Sequence, residues 1–207
     1  MNIGIIGAGN IGGTLAELFS RVGHRVALSN SRGPETLQDK VAELGPNVTA
    51  VSAAEAATFG EVVLEAIPYG KYQDLPADAL AGKIVISASN YYPERDGDID
   101  LRGGTQTELV ARHLGGAKVV KAFNTLFWKH LLEQGDPERP LAERRAIFIA
   151  GDDAEAKRVV AGLIEELGFA AVDTGTLAGS AVQEPGSAIY NKDLTAEEAR
   201  GLLEGRG

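Results

Sequence analysis

The chain has 207 residues, of which 44% are hydrophobic, and its formal net charge is −9 at pH 7. This length suits one large domain, or one domain with a short appendage, and the absence of cysteine excludes disulfides and thiol chemistry. Three scattered histidines offer no metal-ligand spacing, so no metal site is predicted. The negative charge argues against a nucleic acid or an anionic membrane as partner. With neither a basic leader nor an apolar run long enough to span a bilayer, we expect a cytoplasmic protein.

The first element is a short apolar run, NIGII, followed by glycines spaced G-x-G-x-x-G and then by an apolar-periodic segment. This order predicts a strand, a glycine turn and a helix, as in dinucleotide-binding proteins. Gly7 permits the tight turn, Gly9 lets the backbone approach a pyrophosphate, and Gly12 lets the helix pack closely on the strand. The helix N-terminus would direct free N–H groups at the phosphates. The predicted phosphate-binding residues are Gly7, Gly9, Asn10, Ile11 and Gly12.

The second strand, HRVALS, ends in a polar stretch that favours one form of the dinucleotide. A site for NAD places Asp or Glu here to accept from the ribose 2′-OH, but the first acid in this stretch is Glu35. Hydroxyl, amide and guanidinium groups can instead donate to a 2′-phosphate, so we predict NADP(H) as the cofactor. A turn that caps the next helix is a simpler interpretation, and both can be true. The predicted 2′-phosphate residues are Ser29, Asn30, Ser31 and Arg32.

Apolar runs continue to alternate with amphipathic segments as far as residue 175. This alternation predicts an α/β fold with an open, mostly parallel sheet of about eight strands. The polar segment 91–104 is expected to be a long functional loop. Beyond the first two strands, the predicted strands lie within 47–51, 61–68, 83–90, 117–124, 146–153 and 169–175.

A short extension is expected after the sheet. Residues 1–175 form the predicted NADP(H)-binding domain, and residues 176–207 form a C-terminal extension that ends in a helix opened by a capping box. The apolar residues of the extension suit docking on the parent domain or on a partner subunit; they are Leu194, Leu202 and Leu203.

The carboxyl ends of three central strands are expected to converge on the nicotinamide half of the dinucleotide, because open α/β sheets bind ligands at that edge. Asparagine amides there can donate and accept hydrogen bonds, which suits the second substrate, although an Asn that holds its own loop is an equally good interpretation. Pro68 is equally well explained as a strand terminator. The residues predicted at these strand ends are Ala66, Ile67, Pro68, Ser89, Asn90, Ala122 and Asn124.

No catalytic residue is predicted. Hydride transfer between two stacked heterocycles needs no general acid if the proton comes from solvent, so orientation can supply most of the rate. Glu65 interrupts the apolar fourth strand, and we interpret it as an exposed or edge carboxylate. Tyr69, Tyr91 and Tyr92 are interpreted as packing or stacking residues.

Several of these segments together resemble the coenzyme F420-dependent NADP reductase family. They are GIIGAGNIGGTLA, SNSRGPE, AIPYGKY, SASNYYPERDG and VVKAFNT, and the resemblance runs from residue 1 to about residue 190. It implies one Rossmann-like, doubly wound domain with a small C-terminal extension, NADP(H) bound across the glycine turn, and a homodimer.

The resemblance also implies the reaction, a hydride transfer between NADPH and a flavin-type acceptor stacked on the nicotinamide. The acceptor would be F420 or another flavin such as FMN or FAD. Two alternatives stay open: a reductase of an imine or carbonyl metabolite, and a sensor that binds NADP(H) without catalysis. Residues 176–207 are too few to form the helical substrate domain that the imine or carbonyl reductase would need without a partner subunit.

Overall fold

The computed structural model describes residues 1–205, and these contain eight strands in one sheet. The strands are short, and all except the two at the edges of the sheet are mostly buried, as expected for a central parallel sheet. The strands are β1 (Asn2–Ile6), β2 (Arg25–Ser29), β3 (Val48–Ala50), β4 (Val62–Glu65), β5 (Ile84–Ser87), β6 (Lys118–Lys121), β7 (Ala146–Gly151) and β8 (Ala170–Asp173).

Helices connect the strands, and residues 1–205 also contain four short 3-10 segments. The 3-10 segments are Pro34–Leu37, Tyr69–Asp74, Leu141–Glu143 and Ala178–Gln183. The α-helices are α1 (Asn10–Arg21), α2 (Gln38–Leu44), α3 (Ala53–Phe59), α4 (Ala77–Leu80), α5 (Pro93–Asp96), α6 (Gln106–Leu114), α7 (Trp128–Glu133), α8 (Ala154–Glu166) and α9 (Ala196–Glu204). None of these helices is long and apolar enough to cross a bilayer.

The strand order is β3-β2-β1-β4-β5-β6-β7-β8. Strands β1 to β6 pair in parallel, β7 pairs with β6 antiparallel, and β8 is parallel to β7. The chain therefore winds outward from β1 in both directions, and the crevice between β1 and β4 is the switch point where such sheets bind ligands. The predicted Rossmann-like, doubly wound fold is confirmed.

Apolar side chains cover both faces of the sheet. On one face, Leu15 and Phe19 of α1 pack with Leu163 of α8 in a single buried cluster. On the other face, Ala56 of α3 and Val110 of α6 belong to a second cluster. Burial on both faces explains the continuous apolar runs of the strands. The packed layers also hold the carboxyl ends of the strands in place.

The C-terminal extension packs on its own chain. The last 3-10 segment contacts β7 and α6, and α9 contacts β8. Leu194 and Leu203 pack against a third buried cluster that includes Phe148 and Ile189, whereas Leu202 remains 39% exposed. The predicted capping box of α9 is present, with Thr195 as its first residue. Intramolecular docking thus accounts for two of the three leucines; residues 206–207 lie outside the described part of the chain.

The segment 91–104 is more ordered than a simple loop. It contains α5, and the Asp96 carboxylate accepts from the Tyr92 N–H at 3.0 Å while it pairs with Arg95 at 2.8 Å. The Tyr91 hydroxyl accepts from the Ile99 N–H at 3.0 Å. Local polar contacts of this kind are weak sequence signals, so the short helix was not expected.

Candidate dinucleotide and acceptor site

Two of the three glycines in the turn are required by the fold itself. Gly7 has φ +113°, and its N–H donates to the Ser29 carbonyl at 3.0 Å. A Cβ on Gly7 would lie less than 3.0 Å from the Ala66 carbonyl, and a Cβ on Gly12 would lie equally close to the Gly7 carbonyl. No protein atom lies within 4 Å of a Cβ built on Gly9, among the residues described. A side chain at Gly9 would therefore project into open space at the cleft that Gly9 lines, and not into the protein.

The N-terminus of α1 opens at this space. Gly9 is the N-cap residue and supplies no side chain to satisfy the first N–H groups of the helix. Asn10 and Ile11 line the same cleft, and the first turn carries no acidic side chain. Free N–H groups and the helix dipole favour an anion here, so the turn fits a pyrophosphate.

The four residues after β2 have different surroundings. The Ser29 hydroxyl is buried and donates to the Ile5 carbonyl at 3.0 Å, so it cannot reach a ligand. The Asn30 amide builds the turn, since its oxygen accepts from the Arg32 N–H at 2.9 Å and its nitrogen donates to Thr36. The side chains of Ser31 and Arg32 are exposed. Of the residues predicted at the 2′-phosphate, these two are therefore the ones whose side chains are free to contact one.

A cleft of about 540 Å³ lies over the carboxyl ends of β1, β4, β5 and β6. Nine residues predicted from the sequence line it, whereas Gly7 and Gly12 lie beneath the turn and Ala122 is fully buried away from it. The cleft has the size of a small-molecule site. The nine are Gly9, Asn10, Ile11, Ala66, Ile67, Pro68, Ser89, Asn90 and Asn124.

The two asparagines of the cleft bind each other. The Asn124 amide nitrogen donates to Asn90 Oδ1 at 3.0 Å and to the Gln183 carbonyl at 2.8 Å, which uses both of its hydrogens. The Asn90 amide nitrogen donates to the Asn124 carbonyl at 2.8 Å. Asn124 Oδ1 is buried without a hydrogen-bond partner in the described residues. Asn124 is therefore a loop-holding residue whose side-chain oxygen is left without a hydrogen bond within residues 1–205, beneath the cleft surface.

Sequence reasoning gave Tyr92 a packing or stacking role but missed the rest of the aromatic side of the cleft. Tyr92, Phe127, Trp128 and Tyr190 line it, and Phe127 is 50% exposed. The hydroxyls of Tyr92 and Tyr190 are hydrogen-bonded to each other, and Arg95 lies 5.1 Å from the Tyr92 ring centre. A planar heterocycle could stack on such a surface. The adjacent aromatics in TLFWKH were a usable signal, but Tyr190 joins the cleft only through the fold.

The backbone at the end of β6 is unusual. Phe123 is fully buried and has φ +62°, in the left-handed region that bulky residues rarely adopt. This conformation costs about 1–3 kcal/mol and occurs most often at functional sites. The strained residue lies between β6 and Asn124 and itself lines the cleft.

Glu65 is not an exposed or edge carboxylate, contrary to the expectation from sequence. It is 1% exposed, and its Oε1 accepts from the hydroxyls of Ser87 and of Ser89, the latter at 2.8 Å. Burial raises the pKa of the Glu65 carboxyl to about 7, although these hydroxyls and the charge of Lys121 oppose the shift. Burial also lowers the pKa of Lys121 to about 8, against the carboxylates of Glu184 and Glu65. Glu65 is buried because it lies on β4, a central strand of the sheet.

A second cleft, of about 430 Å³, lies between the connector before β7 and the C-terminal extension. Four of its charged residues form ion pairs across the lining, Arg139 with Asp136 and Arg145 with Asp193. Across residues 1–205 no cluster of His, Asp or Glu has the arrangement of a metal site. The cleft over the strand ends is therefore the better candidate for chemistry.

The sheet order, the glycine turn and the cleft at the switch point define a dinucleotide-binding fold of the doubly wound α/β class. A family described as NADP oxidoreductase, coenzyme F420-dependent, matches residues 2–91. The N-terminal part of the chain, through residue 91, therefore matches the NADP-dependent oxidoreductases of this family.

Solved structures resemble the whole described chain. A hypothetical protein from Sinorhizobium meliloti is 38% identical, with a TM-score of 0.83, over 94% of this chain and 95% of that one. A candidate F420-dependent NADP reductase from Arthrobacter sp. FB24 is 26% identical, with a TM-score of 0.73, over 94% of this chain and 99% of that one. Both matches extend well past residue 91, so the likeness includes the C-terminal extension.

A curated relative is much longer. Metalloreductase STEAP3 of Rattus norvegicus is 32% identical over 182 residues, which cover 86% of this chain and 34% of the relative. The chain thus spans about a third of the length of the metalloreductases it matches.

Proposed function

We propose that the chain transfers hydride between NADPH and a flavin-type acceptor that stacks on the nicotinamide in the cleft. The observation that carries this proposal is the cleft of about 540 Å³ over the strand ends, which is lined by the N-terminus of α1 and by an aromatic side. Ser89, Asn90 and Asn124 add polar residues at the strand ends of the same cleft. A dinucleotide that spans the N-terminus of α1 and these strand ends would present its nicotinamide to the aromatic side.

NADP(H) is preferred over NAD(H) in this proposal because Arg32 is an exposed guanidinium after β2, where an acid would bind a 2′-OH. Arg32→Ala should weaken NADPH binding by about 1.5–3 kcal/mol, the value of a charge-assisted hydrogen bond, and leave NADH nearly unchanged. Arg25→Ala, at the opposite end of the same strand, is the matched control. Titration calorimetry gives both affinities, and equal losses for the two nucleotides would contradict the assignment.

The acceptor is proposed from the aromatic lining and from the family description. Phe127, Trp128 and Tyr190 offer ring faces and edges to a planar heterocycle, and the polar cleft floor can bind its carbonyl and amide edge. F420, FMN, FAD and riboflavin differ in their tails and redox atoms. Loss of NADPH absorbance with each of them, in the absence of other acceptors, tests the function directly.

The rival functions predict other outcomes of that assay. A reductase of an imine or carbonyl metabolite would oxidise NADPH with those compounds and with no flavin; the docking of the extension on its own sheet leaves no separate helical domain for such a substrate in residues 1–205. A sensor would bind NADPH tightly and oxidise nothing. Homodimer formation is part of our proposal, and light scattering with and without NADP(H) tests it.

A further inference from the structure

Three adjacent strands carry a row of polar side chains through an otherwise apolar sheet. Glu65 on β4 is in register with Ser87 on β5, and Ser87 is in register with Lys121 on β6. All three are almost completely buried, with exposures of 1%, 1% and 0%. Since residues in register point to the same face of a sheet, the carboxyl, hydroxyl and ammonium groups form one continuous line. Its position is one level below the strand ends that form the cleft.

The row reaches the cleft through Ser89. Ser89 lines the cleft and donates its hydroxyl to Glu65 Oε1 at 2.8 Å, while its carbonyl accepts from Lys121 Nζ at 3.4 Å. The second oxygen of Glu65, Oε2, is buried and makes no hydrogen bond of good geometry among the residues described, although the Ile67 N–H is near enough to favour the charged form of the carboxyl. A structural ion pair would place the cation on that oxygen, and the Lys121 ammonium instead donates to the Ser89 carbonyl. The site therefore suits a carboxyl group that gains and loses a proton.

Other titratable groups surround Glu65 from several elements. Glu184 accepts from the Gln106 N–H at 3.0 Å, which keeps its carboxylate close to the row. The Tyr69 hydroxyl donates to the Gln106 carbonyl at 2.9 Å, and burial raises the pKa of this phenol, so it stays protonated. Lys121 is thus the single cation in the buried row itself. The charged or titratable groups that act on Glu65 itself are Lys121 on β6 and Tyr69 after β4. Glu184 in the extension acts on both Lys121 and Tyr69, and Tyr72 and Arg112 act on Tyr69.

We propose that Glu65 stores the proton that accompanies hydride transfer and that Ser89 passes it into the cleft. This inference rests on the proposed function, because it needs an acceptor that gains both a hydride and a proton. Glu65 acts through Ser89, and only the Ser89 hydroxyl would touch the acceptor.

The step balances as follows in atoms and charge. NADPH loses a hydride, with its two electrons, to the flavin-type acceptor. When Glu65 is protonated, its hydrogen bond with Ser89 reverses, so that the carboxyl donates to Ser89 Oγ and the Ser89 hydroxyl is free to donate to the acceptor. Ser89 Oγ then gives its proton to a nitrogen or oxygen of that acceptor and takes the proton of the Glu65 carboxyl. One O–H bond breaks on each side chain, and Ser89 regains one. Glu65 is left as a carboxylate that the Lys121 ammonium stabilises, and solvent returns its proton after the product leaves.

Turnover of NADPH with an active acceptor, measured between about pH 5.5 and 8.5, tests the relay. In the parent protein the rate should fall as pH rises through about 7, because Glu65 then loses its proton. Glu65→Gln and Ser89→Ala should each lower the rate at pH 6 by about 100-fold and abolish this pH dependence, with NADPH affinity changed less than about threefold. Glu61→Gln, an exposed carboxylate before β4, is the matched control and should keep the parent's rate and profile.

Infrared spectroscopy of the parent protein without an acceptor provides a second reading. A protonated carboxyl band should be present at pH 6, disappear as pH rises through about 7, shift when NADP⁺ is added, and be missing in Glu65→Gln. If Glu65→Gln and Ser89→Ala both keep the turnover rate of the parent protein and its pH dependence, the relay is overturned. An ionised Glu65 at pH 6 in the infrared spectrum also overturns it, even if Glu65→Gln fails to fold. If none of the flavin-type acceptors supports NADPH oxidation by the parent protein, the proposed function fails. The infrared titration still decides whether Glu65 holds a proton.

Discussion

Replacing Gly9 with valine should abolish tight NADPH binding and leave the fold intact. The new side chain would occupy the space beside the N-terminus of α1, where no described protein atom lies within 4 Å of the Cβ. A displaced pyrophosphate would lose about two hydrogen bonds from backbone N–H groups, each worth about 1.5–3 kcal/mol with a charged partner. The dissociation constant should therefore rise by about 100-fold or more. The cost to folding should be about 1 kcal/mol, since Gly9 is an N-cap and valine is a poor one.

Gly12→Ala is the matched comparison in the same turn. Its Cβ would overlap the Gly7 carbonyl, so we expect a loss of about 3 kcal/mol or more in the free energy of unfolding of the protein without ligand. NADPH affinity from titration calorimetry and unfolding in urea separate the two effects. Retained NADPH affinity in Gly9→Val would show that the dinucleotide does not lie along this turn, and equal destabilisation by both variants would refute the distinction between a structural glycine and a ligand glycine.

Two further predictions concern the strand ends. Asn124→Leu should lower turnover with a flavin-type acceptor more than it lowers NADPH affinity. It should also lower the free energy of unfolding by about 1–3 kcal/mol, because the Asn90 and Gln183 oxygens lose their donor. An unchanged melting temperature and unchanged turnover would contradict both roles. Glu65 keeps its proton up to about pH 7 when folded but only to about pH 4.5 when unfolded, so its contribution to stability is present at low pH and lost as pH rises through 7. The stability of the parent relative to Glu65→Gln should accordingly rise by about 2–3 kcal/mol from pH 7 to pH 5 in urea unfolding, and a constant difference would refute the raised pKa.

The sequence was most informative where a local pattern carries its own structural requirement. The glycine spacing after NIGII indicated a strand, a turn and a helix, because only glycine tolerates the positive φ of Gly7 and the contact at Gly12. The start of the last helix at Thr195 was equally clear from the sequence, since the capping residue bonds within three residues along the chain. The sheet followed from apolar runs, whose period and spacing are properties of the chain itself.

Side-chain direction and pairing were decided only by the tertiary structure. An isolated acid in an apolar strand, such as Glu65, has the same sequence pattern whether it faces solvent or the interior; the register with Ser87 and Lys121 determines which it is. The sequence predicted that the Ser29 side chain contacts a phosphate. In the structure β1 pairs with β2, and the Ser29 hydroxyl donates to the Ile5 carbonyl instead. Tyr190 reaches the cleft from 98 residues beyond Tyr92. Distant contacts depend on how layers pack, so the sequence determined the class of fold and the position of the nucleotide turn, while the packing of the sheet decided which groups are buried, paired and able to hold a proton.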